Sequence, residues 1–399
     1  MTEHDDSSNR KASRATRLVT TGRPRVEVSG PVNVPVTRTS TILHPDLGFY
    51  ERSNAGYEAG TLNYGRIGTP TTWAFEEAMA DLEGGDGAVN YPSGLAAIAG
   101  VLSSFTKAGD HILVGDNVYG PTRKFCDDVL ARYGVGVEYF DPMIGSGIRD
   151  LFKAETVLVA IEAPGSHTFE VCDVPLIAAC ARERGALSVM DNTWAAGYYF
   201  RPLEHGVDVV LQAATKYIVA HADAMLGFAA TRKELLDQLK TTAVRFGTCA
   251  GTEECYLGLR GLRTLDVRMP RHFETGVKLA EWLSGRPEVE TVLHPALDRC
   301  PGHETWKRDF TGASGLFGVV LKDFDQDAVR RLIDGMELYG LGDSWGGYES
   351  LLTPSRAGGS RTATTLPYKT PALRIHAGLE AFEDLRDDLA AGLDRLHGD

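Results

Sequence analysis

No Cys-x-x-Cys pair occurs in the 399 residues, and the six cysteines, Cys126, Cys172, Cys180, Cys249, Cys255 and Cys300, are scattered. That pattern argues against a zinc site or a disulfide framework and leaves packing as their ordinary role. No apolar run approaches the roughly 18 residues of a membrane helix. The first residues, MTEHDDSSNRKASRATRL, lack the apolar core of a signal peptide, so the expectation is a cytoplasmic protein with no membrane partner. Positive charge is also in deficit: 41 Lys and Arg stand against 54 Asp and Glu, a formal net charge of −13. A phosphate backbone needs a cationic footprint, so nucleic acid is excluded as the expected partner. No strand is followed by Gly-x-Gly-x-x-Gly, and Asp86-Gly87 reads only as a turn, which argues against a nicotinamide-dependent oxidoreductase. Internal repeats and low-complexity tracts are missing as well.

What is present is ordinary for a globular α/β protein, with 43% hydrophobic and 24% charged residues. The length predicts two domains, or a large one with a satellite. The first twenty or so residues are polar and read as frayed, and VEVSGPVNVPVTRTSTILHPD, without helical periodicity, reads as an extended arm. From about Thr72 to Arg232 short apolar strands alternate with helices: GAVNY, HILVGD, VLVAIEAP, ALSVMD and DVVLQAA, with helices near SGLAAIAGVLSSF, GPTRKFCDDVLARYG and VPLIAACARERG. Such runs predict a mostly parallel sheet covered on both faces. A long helical stretch from Thr252 to Ser284 is expected to kink or break at Pro270. Strands at VETVLHP, LFGVVLK and ALRIHAG and helices at DQDAVRRLIDGM and AFEDLRDDLAAGLDRL then predict a smaller α+β domain. The expected boundaries are an arm over 1–65, a large domain over 66–260 and a small domain over 261–399.

One lysine stands out. In LQAATKYIVAHADAMLGF, Lys216 sits in an almost chargeless run just after a strand, and Asp191 ends the strand ALSVMD 25 residues earlier. In an open α/β sheet both reach the rim where ligands bind. A lysine short of hydration has a depressed pKa and a usable neutral amine. A nearby acid suits a protonated pyridine nitrogen, and the two together are the pairing expected for pyridoxal 5′-phosphate (PLP). Either residue alone reads more simply as a loop lysine or a turn aspartate. Ser93-Gly94-Leu95 opens a helix after GAVNY, where backbone amides hold an anion, although a helix cap explains it equally. Tyr119, at the end of another strand, has a ring suited to stacking on a planar cofactor or to simple packing.

The segments YGRIGTPT, YPSGLAAI, DNVYGPT, VMDNTW, QAATKY, SWGGYESL and ALRIHAGLE stand in the order found in the Cys/Met-metabolism PLP enzymes, and the chain resembles that family from about Arg17 to its C-terminus. The resemblance implies the aspartate-aminotransferase fold (fold type I), with a mostly parallel seven-stranded sheet in the large domain. It implies PLP bound covalently to Lys216, with Asp191 on the pyridine nitrogen and Tyr119 stacked on the ring. The Gly94 and Leu95 amides and the Thr215 hydroxyl would bind phosphate. Tyr64 and Arg66 would reach into a neighbouring subunit's site, Arg66 on its phosphate, so a homo-oligomer is implied, a tetramer built as a dimer of dimers. Arg374 would grip the substrate α-carboxylate with its guanidinium fork. Two positions depart from many relatives: Leu95 replaces methionine, which a backbone contact tolerates, and Ala213 replaces a serine whose hydroxyl would bind phosphate.

Within the family, Ser344 and Trp345 of SWGGYESL, together with QAATKY and APGSHTFEVCDVP, resemble the bacterial cystathionine β-lyases. This implies β-elimination of L-cystathionine to homocysteine, pyruvate and ammonia, a trans-sulfuration step of methionine biosynthesis, with Lys216 or Tyr119 protonating the leaving thiolate. The cystathionine γ-lyases, methionine γ-lyase and cystathionine γ-synthase remain alternatives, and a PLP-retaining binding or regulatory protein a remote one. Trp345 would lie against the cofactor, with a place in the small-domain core as the other reading. His221 and Asp223 read as fixing the loop after Lys216. Glu253, Glu254 and Tyr256 are candidates for the substrate's distal amino group.

Overall fold

The computed structural model describes residues 12–24, 29–54, 61–356, 361–366, 368 and 371–398. Seven strands, β1 (Gly87–Tyr91), β2 (His111–Gly115), β3 (Gly136–Phe140), β4 (Thr156–Glu162), β5 (Leu187–Asp191), β6 (Val209–Gln212) and β7 (Gly227–Thr231), form one sheet in the order β1-β7-β6-β5-β4-β2-β3. All neighbours are parallel except β7, which runs antiparallel to both β1 and β6. Alternate residues go to opposite faces: Ile112 and Val114 join one apolar core, and Leu113 joins the other. That two-sided burial is why these strands read as continuous apolar runs.

Four further strands, β8 (Val289–Leu293), β9 (Leu316–Leu321), β10 (Leu351–Pro354) and β11 (Ala372–His376), make an antiparallel sheet in the order β10-β11-β9-β8. Its core takes Leu279 and Leu283 from the helix Leu265–Ser284, Leu332 from Gln326–Asp334, and Leu385 and Leu389 from Phe382–Asp394.

Two expectations are corrected. The N-terminal stretch is helical over Arg14–Thr20, capped by Ser13, with Leu18 buried and Arg17 paired to Asp81 at 3.1 Å; an amphipathic contact overrides its polar composition. Residues 1–11 of that stretch, and 25–28 of the arm, lie outside the described residues. The long helix breaks at Arg263-Thr264, between Thr252–Leu262 and Leu265–Ser284, and Pro270 lies inside the second piece. There it costs the hydrogen bond that an N–H would have made to the Asp266 carbonyl, but the helix continues through it.

Candidate active site

Strand order creates the site. From β2 the chain passes outward to β3, whereas from β4 it runs the opposite way through β5 to β6. The crevice at that reversal, beyond the C-terminal ends of β2 and β4, is where an open α/β sheet binds ligands. Tyr119 follows β2, Glu162 ends β4, Asp191 ends β5 and Lys216 follows β6. Sequence separation thus becomes adjacency along one rim.

Lys216 is partly buried. Its Nζ donates to Ser344 Oγ at 2.6 Å and lies 5.2 Å from the centre of the Trp345 ring. Lost hydration, with Arg374 second, lowers its pKa to about 8, while Asp191 and Asp343 act the other way. An amine of this kind is partly neutral near physiological pH and can accept a proton or attack a carbonyl. Asp191 Oδ1 accepts from the Thr193 amide at 2.9 Å and its hydroxyl at 2.5 Å. Lost hydration raises its pKa against those hydrogen bonds.

Tyr119 is half exposed, so its ring has an open face. Its backbone N–H donates to Glu162 Oε2 at 2.6 Å. Lost hydration, then Glu162, raises its phenol pKa, which keeps the hydroxyl protonated at neutral pH.

Gly94 opens the helix Gly94–Ser104 with Ser93 as its cap, the Ser93 side chain accepting from Ala96 N. That leaves the Gly94 and Leu95 amides as first-turn donors with no intrahelical acceptor. A Cβ on Gly94 would stand 2.4 Å from Ala213 Cβ, so only glycine brings the helix start this close to the exit of β6. The Ala213 N–H in turn donates to Thr193 Oγ1 at 2.9 Å.

Arg374, on β11, donates to the Ser344 carbonyl at 3.2 Å. Ser344 and Gly346 both adopt left-handed backbone, φ 86° and 82°, in a turn pressed against the Lys216 segment. A Cβ on Gly346 would meet Lys216 C at 2.9 Å. His376, on the same face of β11 as Arg374, lies 3.1 Å from both Gly346 N and Gly347 O. The two side chains therefore pin the turn at both ends. Trp345 also packs 5.5 Å from Tyr217, against the core that includes the Lys216 segment and not against the small-domain core first expected for it.

Other expected residues lie differently. Thr215 Oγ1 donates to Leu226 O at 3.1 Å and accepts from Leu226 N at 2.9 Å, which ties the lysine loop to the residue before β7. Tyr64 and Arg66 are not brought to Lys216. Arg66 donates to Val244 O at 2.9 Å and lines a separate cavity of about 290 Å³ with Trp73, Asn90 and Lys240. His221 Nδ1 contacts Val219 O at 2.7 Å, a contact within the loop that it was expected to fix, whereas Asp223 is exposed and Glu253 is engaged by Arg38 of the arm. Glu162 and His376 were not anticipated. The signal for Glu162 is an acid ending VLVAIE as Asp191 ends ALSVMD, on strands that prove adjacent. His376 carries no local signal beyond its position two residues after Arg374.

A poorly hydrated lysine amine, a carboxyl group on the neighbouring strand end, an open aromatic face and helix-start amides together fit PLP. The model for Cys/Met metabolism PLP-dependent enzymes matches residues 15–394. Cystathionine β-lyase MetC of Escherichia coli is 41% identical over 387 residues, covering 96% of this chain and 98% of its own. An L-alanine/L-glutamate racemase of Wolbachia pipientis is 39% identical, covering 95% and 96%. A solved cystathionine γ-synthase of Xanthomonas oryzae, in complex with aminoacrylate and cysteine, superposes with a TM-score of 0.88 at 32% identity, covering 97% of this chain and 99% of that one. With the family match spanning nearly the whole chain and the crevice built as the cofactor requires, this protein belongs to the Cys/Met metabolism PLP-dependent enzyme family.

Proposed function

We propose that the protein is a carbon–sulfur lyase that cleaves L-cystathionine by β-elimination to homocysteine, pyruvate and ammonia. The observation that carries this reading is Trp345, whose ring lies 5.2 Å from the Lys216 amine, where it would narrow the space for the substrate side chain. The full-length similarity to MetC supports it.

Lys216 would hold PLP covalently, Asp191 its ring nitrogen, Tyr119 its ring face, and the Gly94 and Leu95 amides its phosphate. Tyr64 and Arg66 would serve a neighbouring copy of the chain, in an oligomer with shared sites. When bound, the cofactor supplies an electron sink for a carbanion at the substrate Cα. Arg374 grips the α-carboxylate and fixes the Cα–H toward Lys216. The Lys216 amine, freed once the substrate amine has taken its place on the cofactor and oriented by Ser344, would remove that proton. The Cβ–S bond breaks with its electron pair on sulfur, and the Tyr119 hydroxyl or the protonated Lys216 supplies the proton that makes homocysteine. The three-carbon remainder is hydrolysed to pyruvate and ammonia. Elimination at Cβ needs one Cα deprotonation, whereas elimination at Cγ needs a second proton removed from Cβ.

The test is incubation of the purified protein with L-cystathionine. Pyruvate is expected, and 2-oxobutyrate in its place would assign γ-elimination. Lys216→Ala is expected to abolish both turnover and the visible absorbance of lysine-bound cofactor; an active, normally coloured variant would overturn the assignment.

A further inference from the structure

Two carboxyl groups face each other at the ends of neighbouring parallel strands: Glu162 and Asp191 are partners in the β4–β5 register. Two anions at this distance in a poorly hydrated crevice repel, and one proton shared between them removes the repulsion. The hydrogen-bond donors decide where it sits. On Asp191, the Thr193 amide can only donate, and the Thr193 hydroxyl oxygen accepts from Ala213 N–H, which leaves its own hydrogen for Asp191 Oδ1. Both donors favour a carboxylate, and Lys216 adds positive charge. On Glu162, Oε2 accepts the Tyr119 N–H, and Oε1 accepts from Ser166 Oγ at 2.6 Å while the acid is ionised, but a hydroxyl, unlike an amide, can turn and accept the proton of the neutral acid.

Building on the PLP assignment, we propose that Glu162 is a positioning residue kept as a neutral acid. Its proton goes to Ser166, its free oxygen holds Tyr119 by the backbone amide, and Asp191 alone stays anionic for the cofactor's ring nitrogen. The groups facing the pair are Tyr119, after β2; Ser166 and Glu170, after β4; Thr193, after β5; and Lys216, after β6. Lost hydration and then Asp191 push Glu162 up to about 8. Between its ordinary value of 4.5 and about 8 the folded state holds a proton that the unfolded chain has released, so this group's contribution to stability is lost as the pH rises across that window.

Glu162→Gln mimics the neutral acid. Its apoprotein is expected to lose less melting temperature than wild type between pH 5 and 8, the difference levelling off above about 8. Its PLP dissociation constant is expected within about twofold of wild type at pH 7 and flat to higher pH. Superimposable melting curves, or a folded Glu162→Gln protein binding PLP more than about tenfold more weakly at pH 7, would overturn the proposal. Ser166→Ala gives an independent check through the carboxyl infrared band of the apoprotein. Removing an acceptor of the acid proton lowers the Glu162 midpoint, whereas removing a donor to a carboxylate raises it, which would overturn the proposal. Were wild type not to bind PLP at all, the cofactor assignment would fail, and the two apoprotein measurements would still locate the proton.

Discussion

Lys216 must shed its proton near neutral pH without losing its aim. Lost hydration and the Arg374 charge bring its pKa to about 8, and the 2.6 Å hydrogen bond to Ser344 fixes its direction. Arg374 recognises a carboxylate through its planar fork, so Arg374→Lys is expected to raise KM by roughly 10- to 100-fold with a smaller change in kcat, consistent with losing a hydrogen bond to a charged group. Steady-state kinetics on L-cystathionine check this, and an unchanged KM would place the substrate carboxylate elsewhere. At Trp345, trimming to leucine opens the space above the lysine, and the ratio of pyruvate to 2-oxobutyrate is expected to fall. An unchanged ratio would remove this residue from the determinants of specificity. The placement of Lys216 and Asp191 at strand ends was legible in the sequence because strands show as local apolar runs, whereas their roles rested on the resemblance to the family. The direction of the Thr215 hydroxyl was not legible, since it depends on where Leu226 lies after the loop closes.

At the scale of elements, the segment 361–364 between β10 and β11 is tied to the larger sheet. Asp116, buried at the end of β2, accepts the backbone N–H groups of Thr362, Ala363 and Thr364 at 3.0, 3.0 and 2.8 Å and pairs with Arg123. Arg361 meanwhile pairs with Glu170. Burial opposes ionisation of Asp116, but the bonds from Thr362 and Thr364 and the charge of Arg123 hold its pKa below 3.8. That stabilisation is complete above the ordinary carboxylate value and is lost as the pH falls through the lowered one. Asp116→Ala is expected to cost about 3 kcal/mol by urea unfolding, because it strands Arg123 and three amides. A change under about 0.5 kcal/mol, typical of a neutral surface site, would show that the tie is not needed. Most strands buried on both faces were readable as apolar runs, but three strands were not, one of them fully buried. GVEYF is an edge strand with an exposed start, GFAAT is built of small residues, and the last residue of β10 is proline.

For the whole molecule, Tyr64 and Arg66 lie away from Lys216 of the same chain, and the proposed sharing of sites between copies is open to a direct test. If a site takes Arg66 from one copy and Lys216 from another, mixing inactive Arg66→Ala with inactive Lys216→Ala subunits restores activity, up to about a quarter of wild type for randomly mixed dimers. No restoration under conditions that exchange subunits would place every catalytic group within one chain. One face of the second sheet has a core of its own, whereas Leu293, Leu316 and Val320 join a core shared with the larger sheet, and the segment around that second sheet supplies Arg374 and the Ser344–Gly347 turn.

The sequence by itself determined the α/β class, the main strands and the cofactor chemistry, because hydrophobic period and residue type are local properties. Only the tertiary structure decided that β7 runs antiparallel between β1 and β6, that the lysine faces Ser344 and Trp345, and that Glu162 stands beside Asp191. Which strand ends become neighbours depends on the crossovers between them, and a proton's position depends on the donors that those crossovers bring together.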